Sequence, residues 1–112
     1  MARTKNLNRG DVIWVNLDPT VGAEIRKRRP CVIVSLSVLN DHRLTVVVVP
    51  LSGSSRPRPP LVVAVPSAGA DSSARIDQIR AVDKSRVVGA IGKLSSADME
   101  AVAQGLRSVL GL

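Results

Sequence analysis

Apolar positions along the chain fall mostly in short runs, several of them alternating, separated by polar segments rich in Gly, Pro, Ser and Asp. Residues 11–17 (DVIWVNL) are β-branched and aromatic and stop at Asp18-Pro19, a turn signal, so a first strand is predicted there. A second, over 31–36, follows Pro30, whose missing N–H suits a strand start. Residues 44–51 (LTVVVVPL) are almost continuously apolar and predict a central strand buried on both faces. Further strands are expected over 61–65, over 74–82 with imperfect alternation, and over 86–94, where Gly89 and Gly92 suggest a bulge or tight bend.

Residues 37–43, with Asn40-Asp41-His42, read as a turn or short helical piece, and 52–60 as a loop. Residues 1–8 read as a polar, basic, frayed arm. The period then changes. Ser95-Ser96-Ala97-Asp98 has the form of a helix N-cap with an acid at the third position. Met99, Val102, Ala103, Leu106, Val109 and Leu110 follow at helical spacing, predicting a helix over 96–110 that lies on the sheet. Six strands and one closing helix imply a mainly β, strongly bent barrel, a single domain over 1–112 with no repeat or linker.

Charge narrows the partners. Sixteen Lys and Arg against nine Asp and Glu give a formal charge of +7, which favours polyanions: nucleic acid, an acidic protein segment or an anionic surface. A membrane is the weakest of these, because no basic amphipathic helix is present. The N-terminus lacks the charged, apolar and small-residue order of a signal peptide, so a cytoplasmic protein is expected. Trp14 is the only aromatic residue, which argues against modules that stack several bases on rings. The lone Cys31, in a strand, reads as a small core residue.

No metal or cofactor is expected: Cys31 and His42 cannot supply a zinc set, the carboxylates are scattered, and no phosphate-loop pattern occurs. His42, alone in a turn, reads as a surface residue and excludes a two-histidine ribonuclease. A hydroxyl, several guanidiniums and a carboxylate remain. RNA can cleave itself if its own 2′-OH attacks the adjacent phosphorus; a protein must then help remove that proton, hold the phosphorane charge and protonate the leaving 5′-oxygen. Arginine suits the second task through its planar fork, but with a pKa above about 12 it is a poor proton acceptor. The segment between the first two strands concentrates Glu24, Arg26, Lys27, Arg28 and Arg29, although for charge alone a solvated basic loop is the better reading.

Three blocks carry a resemblance. Arg9-Gly10-Asp11-Val12-Ile13-Trp14-Val15 with Leu17-Asp18-Pro19, Val21-Gly22-Ala23-Glu24 and Arg29-Pro30 resembles the amino-terminal signature of the MazF/PemK toxins. Val48-Val49-Pro50-Leu51-Ser52 resembles that family's third strand, and Asp77 to Arg86 its Gln-containing strand. The resemblance implies an SH3-like barrel with the C-terminal helix packed on it, a homodimer with RNA in a groove across the subunit interface, and a cognate MazE-like antitoxin whose acidic, disordered tail covers that groove. It implies a sequence-selective, metal-independent endoribonuclease on single-stranded RNA, leaving 2′,3′-cyclic phosphate and 5′-OH ends.

On this resemblance Arg29 matches the catalytic arginine, Ser52 stands where the family usually has a threonine hydrogen-bonded to the scissile phosphate, and Glu24 matches a Gly-x-Glu element. Glu24 is expected to orient Arg29, accept a proton or pin the loop. Gln78 suits reading a base edge or tying two subunits together, with a satisfied strand amide as the plain alternative. Trp14 stacks a base or packs in the core. Arg26, Lys27, Arg28, Arg56 and Arg58 are assigned to general phosphate attraction. The competing readings are a CcdB-like gyrase poison, which shares the barrel but needs no Glu24/Arg29/Ser52 set, and a non-catalytic nucleic-acid-binding barrel.

Overall fold

The computed structural model describes residues 6–17 and 28–112. Its strands are β1 (Asp11–Asn16), β2 (Arg28–Ile33), β3 (Thr45–Ser52), β4 (Val62–Ala64), β5 (Ser73–Arg75), β6 (Arg80–Asp83) and β7 (Val87–Lys93), with helices α1 (Ser37–His42) and α2 (Ser96–Leu110). They form one antiparallel sheet in the order β4-β5-β3-β2-β1-β7, with β6 pairing β3 off that path. Mainly β with a closing helix is therefore the observed class.

β3 is the hub because Val46 to Leu51 are apolar on both faces. Val46 and Val48 join Ile13, Val15, Cys31, Ile33 and Val82 in one core. Val49 and Leu51 join Val12, Val32, Val65, Ala74, Ile76 and Val102 in another. Each fully buried aliphatic side chain contributes about 1.5–3 kcal/mol relative to exposure. The second core is closed by α2, which packs on β4 and on a 3₁₀ turn at Ile76–Gln78. Gly105 permits that approach: a Cβ there would lie 3.0 Å from Ile76 Cγ1 and 3.2 Å from the Pro60 carbonyl oxygen.

The helix starts where its cap predicts. Ser95 Oγ accepts from Asp98 N at 3.1 Å, and the buried Asp98 carboxylate accepts from Ser67 N at 2.7 Å and from the Ser67 hydroxyl. In β7, pairing with β1 slips between Val12 and Ile13 and between Trp14 and Val15, the irregularity that Gly89 and Gly92 foreshadow.

Four expectations need correction. β2 begins before Pro30, not after it: Arg28, Arg29 and Pro30 pair with Asn16, Val15 and Trp14 of β1, while the mapped β2–β3 ladder stops at Cys31↔Pro50, so the proline falls outside that ladder. The stretch 74–82 is not one strand but β5, a 3₁₀ turn and β6, because β3 changes partner there; seven strands result rather than six. Leu7 is buried and its carbonyl accepts from Asn40 Nδ2 at 2.8 Å, so the N-terminal arm is anchored by that point. Trp14 is 41% exposed and is not a core residue.

Candidate active site

The partner change along β3 builds the site. One edge of β3 pairs β2 through Cys31↔Pro50, Val32↔Val49 and Ile33↔Val48. Its other edge pairs β6 as far as Val48↔Arg80, then β5 from Leu51↔Ala74 to Ser52↔Ser73. Side chains alternate along each strand. Val48, Pro50 and Ser52 therefore share a face with Cys31 of β2, with Ser73 and Arg75 of β5, and with Arg80 of β6. Arg29, two residues before Cys31 and opposite Val15, lies on that face too. Continued two positions beyond Cys31↔Pro50, the same register sets Arg29 against Ser52.

Cys31 and Pro50 are buried; Arg29 and Arg80 are exposed, Arg75 half-buried. Burial pushes the Cys31 thiol up to about 12, and the positive charges of Arg80 and Arg29 pull against that shift. The thiol's own hydrogen bond goes to the Arg29 carbonyl, Sγ to O 3.8 Å. Arg75 Nε is buried with no hydrogen-bond partner among the described residues, a donor left to be satisfied by something else.

Ser52 is 7% exposed, and its oxygen is saturated as an acceptor. It accepts from Ser54 N at 3.2 Å and from Ser55 Oγ at 3.0 Å, with Ser54 Oγ a further 3.5 Å away. A hydroxyl has two lone pairs and one proton. With both lone pairs engaged this oxygen is poorly placed to take a proton from an incoming ribose, and its own proton can turn to the Ser54 hydroxyl or to another acceptor. The geometry leaves Ser52 able to serve as a hydrogen-bond donor. Beyond it opens a cavity of about 340 Å³ lined by residues 53–57 and 70–73 with Ala64.

Of the other expected residues, Arg56 lines this cavity, while Arg58 is exposed and holds the loop through its backbone, Arg58 N to Val62 O 2.7 Å. Gln78 is exposed at the end of a 3₁₀ turn, so the strand-amide alternative does not hold. Arg28, opposite Asn16, and Trp14, opposite Pro30, lie on the other face of β1–β2 from Arg29 and are not brought to the site. Glu24, Arg26 and Lys27 lie outside the described residues.

Sequence reasoning missed Arg75 and Arg80. Arg80 sits in the same block as Gln78, two residues before the buried Val82, and that alternation was a usable signal. Arg75 became legible only once Ser73 was seen opposite Ser52.

Fold and charge together define a basic, mainly β domain that carries Arg29, Ser52, Arg75 and Arg80 on one face of its sheet. The chain belongs to the family described as PemK-like, MazF-like toxin of type II toxin-antitoxin system, whose profile matches residues 8–110. Among relatives, Endoribonuclease MazF9 of Mycobacterium tuberculosis is 29% identical, covering 95% of this chain and 98% of the relative. Endoribonuclease MazF of Staphylococcus saprophyticus is 31% identical, covering 95% and 92%. Among solved structures, an endoribonuclease in complex with its cognate antitoxin from a mycobacterial species superposes with a TM-score of 0.78 at 29% identity, covering 94% of this chain and 95% of that one.

Proposed function

We propose that this chain is the endoribonuclease toxin of a toxin–antitoxin pair, cutting single-stranded RNA in the cytoplasm until a cognate antitoxin covers its basic face. Family membership and relatives carrying the endoribonuclease name support this reading. The single observation that carries the chemistry is Ser52, buried, lone pairs filled, on one face with Arg29, Arg75 and Arg80. That arrangement suits a phosphate whose non-bridging oxygens gain charge as a fifth bond forms.

In the proposed step the substrate's 2′-oxygen attacks phosphorus, the bond from phosphorus to the 5′-oxygen breaks, and a 2′,3′-cyclic phosphate forms. Arg29 and Ser52 hold the developing charge, a preorganised arrangement that needs no reorganisation as the charge appears. The proton of the 2′-OH must go to a base, and the 5′-oxygen must receive one. Glu24 is the residue we assign to orienting Arg29 or to accepting that proton. Because the nucleophile belongs to the RNA, no metal is required. Two copies of the chain are proposed to form a homodimer with the RNA groove across their interface, and the antitoxin's acidic tail to compete for that groove.

The test is incubation of the purified protein with a mixed single-stranded RNA pool in excess EDTA. Discrete fragments with cyclic-phosphate and 5′-OH ends are expected, suppressed by the antitoxin. An RNA pool left whole refutes the reading.

A further inference from the structure

The cavity beyond Ser52 is lined mainly by small and hydroxyl-bearing residues. In a chain of net charge +7, the residues lining it include one carboxylate, Asp71, and one cation, Arg56. Both are exposed on the rim, and neither forms an ion pair among the described residues although they line the same cavity. Ser54 and Ser55, which donate to the Ser52 oxygen, form one wall; Ser73, opposite Ser52 on β5, forms another, its hydroxyl donating to the Ser55 carbonyl at 3.3 Å. At about 340 Å³ the space is at the small end of ligand pockets, suited to one flattened ring system.

An acid beside a phosphate groove weakens attraction for a polyanion, so its place there calls for a different contact. Unstacked bases in single-stranded RNA are read on their Watson–Crick and Hoogsteen edges. A carboxylate accepts only. Uracil sets one N–H between two carbonyls, and adenine and cytosine each place a ring-nitrogen acceptor beside their amino group, so each turns at least one acceptor toward a carboxylate. Guanine alone offers two adjacent donors, N1–H and N2–H, that match both oxygens. Its opposite edge, O6 and N7, is the preferred bidentate partner of arginine.

We propose that this cavity is a base-reading subsite selecting guanine next to the scissile phosphate, with Asp71 on the donor edge and Arg56 on the acceptor edge. The proposal rests on the endoribonuclease reading above and assigns part of its sequence selectivity.

The experiment compares the wild-type protein with Asp71→Asn and Arg56→Ala on a randomised single-stranded RNA pool, mapping the bases flanking every cut. The wild type is expected to show guanine enriched at one fixed position. Asp71→Asn should lose that enrichment by roughly tenfold to a hundredfold and gain adenine, which asparagine pairs well. Arg56→Ala should weaken the same position. Cutting with no guanine position in the wild type, or an Asp71→Asn profile identical to it, overturns the subsite while leaving the nuclease intact. A pool that none of the proteins cuts overturns the endoribonuclease reading itself, and the subsite with it.

Discussion

Ser52→Ala separates what the serine does for the fold from what it does for chemistry. Truncation removes the acceptor for Ser54 N and for the Ser55 hydroxyl. Each neutral hydrogen bond is worth about 0.5–1.5 kcal/mol net. Ser54 is exposed and Ser55 half-buried, so water replaces much of what is lost. The expected destabilisation is about 1 kcal/mol, a fall of roughly 4–8 °C in Tm for a domain near this size. A domain with about 5 kcal/mol or more of stability stays folded through that loss.

The chemical loss is larger. Removing one preorganised donor to a developing oxyanion lowers the rate by about 10²–10³-fold. A fluorogenic RNA cleavage assay beside a melting curve therefore resolves the two effects. Ser52→Thr, which restores the hydroxyl, should recover most of the activity. Ser52→Ala cutting RNA within about threefold of wild type, with the Tm lowered, would show that the hydroxyl serves the fold alone.

Two further predictions test the packing. Gly105→Ala gains about 1 kcal/mol of helix propensity but drives a Cβ to 3.2 Å from a backbone oxygen and 3.0 Å from the fully buried Ile76. Overpacking of about 1–3 kcal/mol wins, so urea unfolding should show a less stable protein; a more stable one contradicts the close helix approach. For Cys31, the unfolded chain releases the thiol proton near the ordinary value of 9.0, whereas the folded chain holds it to about 12. The native state binds more protons between those values, so stability falls as pH rises through that window, by up to about 1.4 kcal/mol per unit. Cys31→Ala should flatten that alkaline limb, and an unchanged slope would refute the burial argument.

Much of the fold was legible because local and global signals agreed. The run Thr45 to Ser52 could only be a strand buried on both faces, and the capping serine with its helical apolar spacing fixed α2 to its ends. Arg29 and Ser52 were singled out through resemblance, and the β2–β3 register, continued past its last mapped pair Cys31↔Pro50, sets them on one face. What was not legible came from long-range pairing. Nothing local says that β3 passes from β6 to β5, so the turn at Ile76–Gln78, the exposure of Gln78 and the arrival of Arg75 and Arg80 were hidden. Trp14 looked like core by residue type, yet its neighbours across the strands are Pro30 and Gly89, which leave it partly exposed.

Arg28 and Arg29 are adjacent, equally charged and both exposed, yet alternation sends them to opposite faces of β2. Replacing either by Ala removes the same charge, so general attraction for RNA falls equally and only the face differs. Single-turnover cleavage of a defined RNA by the two variants is the most direct measurement. Arg29→Ala should lose about 10²-fold or more in rate, with binding close to that of Arg28→Ala, which itself should cut nearly as well as wild type. Equal rates for the two variants would contradict an active site built around Arg29 and Ser52.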